Sequence, residues 1–248
     1  MPHDLPSAEL ARLEKADGSA TFSYQGYSII SAVNGPIEAP RRDENAFEAL
    51  VDVNIRPAAG VGGTAERQLE SILQSALRHV IPVRDFPRSM IQVTLQVVQT
   101  PENAYENTKV VQAQADLALI PALLHSAILG LLTAAVPLKT IATATLLAVP
   151  SSGDGAGAGA ATIDPDPVQA SQAKSVHVLG FTSDGELLLA ESQGSFSPDE
   201  WREVLRTGEQ VCCRKKDTVM SDEPESTSIQ DFIRSAMETK VAKDLHWK

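Results

Sequence analysis

The longest apolar stretch of the chain, residues 117–136, restricts the possible folds more than any other segment. A stretch of this length can cross a lipid bilayer. It is rich in alanine, however, and Pro121, His125 and Ser126 interrupt it, while charged residues flank it and no aromatic belt marks its ends. These features favour a helix that is buried inside a globular domain and does not span a membrane. We expect His125 to be a satisfied core or interface residue on this helix.

Alternating and apolar runs predict the β-strands of the domain. In residues 47–56, Phe47 and Val51 begin the apolar face of a half-buried strand. The other predicted strands are residues 90–98, the apolar run 140–149, and two hairpins, residues 20–32 around Gln25-Gly26 and residues 175–191. We expect Asn34-Gly35-Pro36 to end the second strand of the first hairpin.

Capping residues predict where the remaining helices begin. Thr64 is expected to be the N-cap of an amphipathic helix that extends to about residue 81. Ser197 is followed by Pro198 and Glu200, which predicts a capping box at the start of a second helix. Residues 228–247 have the pattern of one more amphipathic helix.

The order of these elements favours a single α+β domain. We assign residues 17–216 to this domain, residues 1–16 to an N-terminal segment, and residues 217–248 to an acidic linker and a C-terminal amphipathic helix. Within the domain, the Gly/Ala-rich residues 151–163 are expected to form a flexible loop.

The charge balance argues against a protein that binds nucleic acid by itself. The chain has 21 Lys and Arg against 32 Asp and Glu, and its net charge of −11 repels phosphate at long range. The adjacent Cys212 and Cys213 cannot form a structural disulfide, which favours reduced thiols in a cytosolic or nuclear protein. The acidic N-terminus lacks the apolar core of a signal peptide. The five histidines lie far apart, without the spacing of a zinc site.

Arginines concentrated in the first third of the chain are the main candidates for a binding surface. We expect these arginines to contact either RNA phosphate or another subunit. The alternative is that they are solvated surface residues. The candidates for an RNA channel are Arg84, Arg88, Arg56 and Arg78. The glycines at positions 60–63 lack the Lys-Ser/Thr of a phosphate-binding loop. Asp164 and Asp166 alternate with prolines, which is typical of a rigid turn.

Several short segments, taken in order, resemble the RNase PH family. They are Asp17-Gly18-Ser19, Asn34-Gly35-Pro36-Ile37-Glu38, Val53-Asn54-Ile55-Arg56-Pro57, Phe86-Pro87-Arg88 and Asp164-Pro165. The similarity covers roughly residues 17–216, and within the family it is strongest to the small, fungal-like ring subunits of the eukaryotic exosome that carry a G-P-I-E segment. It implies an RNase PH domain with a ribosomal protein S5 domain 2-like βαβα core and a C-terminal helical extension.

The resemblance also implies that the chain is catalytically inactive. Active members use inorganic phosphate to shorten RNA from its 3′ end, and they bind that phosphate through a Gly-Thr-Arg signature and an arginine in the first helix. Residues 101–111 match the signature without Gly or Arg, and Leu73, Gln74 or Ser75 stands in place of the helical arginine. Residues 168–175 match the segment that carries the catalytic Asp residues, but they include no carboxylate. No cofactor is expected.

The family implies partners and a location as well. We expect paralogous RNase PH-like subunits in a six-member ring, cap subunits of the S1/KH type, an associated nuclease, RNA in the assembled channel, and no membrane. The expected compartments are the nucleus, the nucleolus and the cytoplasm. The predicted contact edge with a paralogue is the second hairpin, through Val176, Val178, Leu187 and Leu189. Two alternatives stay open: an active phosphate-dependent exoribonuclease, and a stand-alone adaptor that recruits a partner through its C-terminal helix.

Overall fold

The computed structural model describes residues 5–101, 109–150, 161–213 and 228–246. The strands in these residues are β1 (Ser7–Leu10), β2 (Gly18–Tyr24), β3 (Tyr27–Glu38), β4 (Leu50–Arg56), β5 (Ser89–Gln99), β6 (Ala142–Val149), β7 (Thr162–Ile163), β8 (Ser175–Thr182) and β9 (Leu187–Gly194). The helices are α1 (Thr64–Val80), α2 (Lys109–Thr133), α3 (Pro167–Gln172), α4 (Pro198–Cys212) and α5 (Ile229–Leu245), and a 3₁₀ turn covers Val83–Asp85.

The described strands form two sheets, which confirms the predicted α+β class. In the first sheet the order is β1-β2-β3-β5-β4, and only β4 and β5 run parallel, joined by α1 as the crossover helix. The second sheet has the order β7-β6-β8-β9 and is antiparallel throughout. Helix α2 packs against both sheets, and α4 covers the other face of the second sheet.

The position of α2 between the sheets explains why its sequence is apolar on all sides. Ile120, Leu124 and Ile128 are fully buried and belong to one core that includes side chains of both sheets. The helix approaches β3 closely at Gly130, where an added Cβ would lie 2.7 Å from the Ser31 hydroxyl. In the described residues, the structure contains no helix that is long and apolar enough to span a membrane.

Most of the predicted strands and helix starts are confirmed. Ile91, Val93 and Leu95 of β5 are fully buried on one face, as the alternation predicts. All eight residues of β6 are buried. At the start of α4, the Ser197 hydroxyl accepts from the Glu200 amide at 3.2 Å and the Ser197 amide donates to the Glu200 carboxylate at 2.6 Å, which forms the predicted capping box.

Several predicted boundaries are wrong. Strand β3 does not end at Asn34 but continues to Glu38, because its register with β5 shifts between Asn34 and Ile37. The N-cap of α1 is Gly63, whose amide donates to Glu66 at 2.6 Å, so Thr64 is already inside the helix.

The structure describes parts of two further segments. Strand β1 lies within residues 1–16, the predicted N-terminal segment, and it pairs with β2 of the first sheet. Of the predicted loop at 151–163, residues 151–160 lie outside the described residues, while Thr162 and Ile163 form β7.

Candidate nucleic-acid interface

Three of the four candidate arginines lie at the same end of the first sheet. Because α1 runs back along the parallel strands β4 and β5, its last turn lies where both strands begin. Arg78 lies in that last turn, Arg84 in the 3₁₀ turn that follows, and Arg88 directly before β5. Arg56 ends β4 and therefore lies at the opposite end, about 20 Å away for a strand of this length.

The loop before β4 folds around Arg88. The Arg88 amide donates to the Asn45 carbonyl at 3.0 Å, and its carbonyl accepts from the Ala39 amide at 3.2 Å. These bonds hold Arg88 in the left-handed region at φ 62°, a conformation that costs about 1 kcal/mol for a residue other than glycine. Its guanidinium lies 3.5 Å from the Glu44 carboxylate and keeps 71% of its side chain exposed.

Arg78 and Arg84 line an open groove of about 1000 Å³ together with His79 and Lys139. Lys139 is held there by its amide, which donates to the Val80 carbonyl at 2.9 Å. The groove also contains two carboxylates, Glu48 and Asp85, and Glu48 pairs with Arg78 at 2.7 Å. The charge of this surface is therefore only weakly positive. Sequence reasoning found its arginines but missed His79 and Lys139, which reach it through helix packing.

The residues that match the family's helical phosphate ligand bear no cation. Leu73 is fully buried, the side-chain amide of Gln74 donates to the Val51 carbonyl at 2.7 Å, and Ser75 has an exposed hydroxyl. The segment that matches Gly-Thr-Arg lies mostly outside the described residues. Residues 168–175, which match the acidic segment, form most of α3 and the first residue of β8.

Asp164 connects the two sheets. Its carboxylate accepts from the Tyr24 hydroxyl of β2 at 2.9 Å and from the Thr145 hydroxyl of β6 at 3.3 Å. Burial raises the pKa of Tyr24 above its ordinary value, and the charge of Asp164 raises it further. Asp166 begins α3, where its amide donates to Gln169 at 3.2 Å. Both residues therefore have structural roles in the predicted turn, and the described residues contain no cluster of potential metal ligands.

His125 is a fully buried residue of the core. Its Nε2 accepts from the Ala144 amide of β6 at 3.0 Å, while its Nδ1 has no partner among the described residues. The edge of the ring packs against Phe22 with the ring centres 5.5 Å apart. Burial lowers the pKa of His125 to about 3, so the imidazole is neutral at physiological pH. The predicted core position is confirmed, but the expectation that the ring is satisfied is wrong, because Nδ1 lacks a partner among the described residues.

The four interface candidates do not share one surface. Val178 is fully buried and Leu189 is 7% exposed, and both belong to the core between the sheets. Neither side chain can reach an opposing chain, so both are corrected to core positions. Val176 is half-buried against the same core, and only Leu187, 48% exposed on the edge strand β9, faces outward.

Phe47 is a surface residue that the sequence places wrongly. The alternation in residues 47–56 predicts it on the buried face of a strand, but β4 begins only at Leu50, and Phe47 is 81% exposed. Its amide donates to the Asn45 side chain at 3.0 Å, which fixes a turn before the strand. The asparagine two residues before Phe47 is a residue type common in turns, and it is the sequence signal that could have predicted this turn.

The two sheets packed around α2, together with the arginine-lined end of the first sheet, define an RNase PH-type domain. The chain belongs to the 3′ exoribonuclease family, whose domain 1 matches residues 7–137. It is 29% identical over 211 residues to exosome complex component RRP46 of Saccharomyces cerevisiae, covering 83% of this chain and 89% of that protein.

A rice sequence and a rice crystal structure extend the comparison. The chain is 23% identical over 236 residues to the exosome complex exonuclease RRP46 homolog of Oryza sativa, covering 94% of this chain and 90% of that protein. The crystal structure of rice Rrp46 superposes with a TM-score of 0.75 at 23% identity and covers 95% of each chain, which establishes the common fold.

Proposed function

We propose that this chain is a non-catalytic ring subunit of an RNA exosome. It assembles with paralogous RNase PH-like subunits into a six-member ring, beneath S1/KH-type cap subunits, and helps to form the channel that leads RNA to an associated nuclease. The similarity to RRP46 along most of both chains carries this proposal. The expected compartments are the nucleus, the nucleolus and the cytoplasm.

The residues at the family's catalytic positions support a non-catalytic role. A phosphate that attacks RNA needs a cation to bind it, and Leu73, Gln74 and Ser75 provide none. A leaving hydroxyl needs an acid, and residues 168–175 include no carboxylate. The loss of either group removes several kcal/mol of transition-state stabilisation, so the loss of both leaves no effective catalysis.

The arginine-lined end of the first sheet is the part of the chain that we assign to the RNA channel. Arg78, Arg84 and Arg88 lie there within an otherwise acidic chain of net charge −11. Because two of them already pair with carboxylates, the chain alone binds RNA weakly. Paralogues in the ring must therefore supply most of the remaining positive potential.

Ring reconstitution with candidate paralogues tests this function. We expect the chain to elute in a complex, and we expect a variant with Arg84→Glu and Arg88→Glu to assemble normally but to protect less RNA from an external ribonuclease. A variant with Arg202→Glu and Arg206→Glu is the matched control, because it changes the charge by the same amount and both residues are exposed on α4, which covers the second sheet. Normal RNA protection by the double variant would contradict the channel assignment, and a chain that joins no complex would contradict the ring role.

A second candidate is an active phosphate-dependent exoribonuclease, because the rice relative is named an exonuclease. The purified chain, mixed with inorganic phosphate, magnesium and 3′-tailed RNA, distinguishes the two. We expect no nucleoside diphosphate, and its release would refute the non-catalytic role.

The adaptor alternative receives less support from the position of α5. Ile233 of this helix is fully buried, and Phe232 packs against Phe22 with the ring centres 6.2 Å apart. The N-terminal half of α5 therefore belongs to the core and is not free to recruit a partner.

A further inference from the structure

The side chain of Phe47 occupies an unusual surface position. It is 81% exposed, although burial of a phenylalanine side chain contributes about 2 kcal/mol to folding. Two hydrogen bonds made by Asn45 fix the turn that carries Phe47. Its amide donates to the Asn45 side chain at 3.0 Å, and the Asn45 carbonyl accepts from the Arg88 amide at 3.0 Å. These two bonds fix the backbone that carries the exposed ring.

Two ion pairs fix the position of this turn beside the arginines. Glu48, the next residue, pairs with Arg78 at 2.7 Å, and Glu44, three residues earlier, lies 3.5 Å from Arg88. The loop that carries Phe47 is therefore paired with Arg78 and with Arg88, and each of these arginines keeps more than half of its side chain exposed.

We propose that Phe47 is a base-stacking residue for single-stranded RNA at the arginine-lined end of the first sheet. The inference rests on the proposed function, and it identifies the residue that contacts a base where the arginines contact phosphates. Single-stranded RNA is commonly bound by cations that follow the backbone and by aromatic rings on which bases stack.

The surroundings of Phe47 favour RNA over a protein partner. The buried centre of a protein interface is depleted of charged residues and built from contiguous apolar side chains. Here four exposed residues of the same loop are charged, two of each sign, namely Arg41, Arg42, Asp43 and Glu44. With Arg78, Arg84 and Arg88 beside the loop, the cations outnumber the carboxylates around this single aromatic ring, as on a surface that binds RNA phosphate.

Binding of an oligouridine to the reconstituted ring, measured over a series of salt concentrations, tests the proposal. We expect Phe47→Ala and Phe47→Leu to weaken binding by about fivefold or more, and Phe47→Tyr to leave it unchanged, because only the tyrosine keeps an aromatic face. The slope of log affinity against log salt should stay as in the wild type, whereas Arg84→Glu should reduce it. In 5-iodouridine-substituted RNA, photocrosslinking should attach the nucleotide to the peptide that contains Phe47.

Other outcomes separate the inference from the function on which it rests. Wild-type affinity of the Phe47→Ala ring, or crosslinks that avoid this peptide, would overturn the inference and leave the ring role intact. If Phe47→Ala prevents ring assembly while the isolated variant keeps its thermal stability, the residue contacts a protein partner and the inference is wrong. If the wild-type chain forms no ring, the proposed function is refuted. Binding of the oligouridine to the isolated full chain at low salt, compared among the same Phe47 variants, then tests the stacking proposal by itself.

Discussion

Acidification from about pH 7.5 to about pH 5 is expected to remove about 2 kcal/mol of folding free energy through His125. The imidazole is fully buried between α2 and β6, where the Ala144 amide donates to Nε2. Protonation would place a positive charge in an apolar site beside Phe22, and the new N–H on Nε2 would face the Ala144 amide that now donates to it. For this reason the pKa falls to about 3 in the folded chain.

The direction and size of the effect follow from the two pKa values. The unfolded chain binds the proton near pH 6.5, whereas folded His125 does so only near pH 3. The stability is therefore complete above about pH 6.5, and it falls by about 1.4 kcal/mol for each pH unit below that value until about pH 3. At pH 5 this amounts to about 2 kcal/mol.

Urea unfolding of the wild type and of His125→Gln at several pH values measures this contribution. Glutamine does not titrate, and its side-chain oxygen can accept from the Ala144 amide, so the variant should lose less stability on acidification. His177 has a pKa that burial also lowers, but it titrates in both proteins, and the difference between them isolates His125. Equal losses of stability in wild type and variant between pH 7.5 and 5 would refute the reasoning.

Two pairs of substitutions test the corrected positions by urea unfolding. Val178→Asp places an unpaired charge in the core and should cost more than about 3 kcal/mol, whereas Leu187→Asp on the edge strand should change stability by less than about 0.5 kcal/mol. A stable Val178→Asp variant would contradict the assigned core. Ser197→Ala should cost about 1 kcal/mol through the lost N-cap, while Thr64→Ala should cost little because the cap of α1 is Gly63. Equal costs at both positions would contradict these caps.

The elements that the sequence predicts best are those whose environment is uniform along their length. Strand β5 has one buried face, so apolar and polar residues alternate from Ile91 to Gln96. Strand β6 lies between α2 and α4, and helix α2 lies between two sheets, so both are apolar on every side. The capping box at Ser197 is local, because its two hydrogen bonds join residues three positions apart.

The boundaries that the sequence misses depend on contacts between distant residues. Strand β3 continues beyond Gly35 because β5 lies alongside it and accommodates the register shift. The exposed Phe47 fits an apolar alternation, but the Glu48–Arg78 ion pair and the turn at Asn45 place it outside the strand. The arginine groove likewise depends on a contact between distant residues, because the Lys139 amide donates to the Val80 carbonyl and so brings Lys139 beside the end of α1.

The second hairpin shows why apolar alternation alone does not locate a subunit interface. Strand β8 is covered on both faces: Val178 packs toward α2, while Leu179 and Phe181 pack toward α4. Its apolar side chains therefore pack within the chain. The same apolar pattern would also be expected of a strand whose exposed face binds another subunit. The edge strand β9 differs, because its outer backbone groups pair with no strand among the described residues and Leu187 stays half exposed. A paralogue that binds this hairpin must consequently contact the edge of β9 and the residues near Leu187, where polar and apolar positions are interspersed. It cannot contact the core positions of β8.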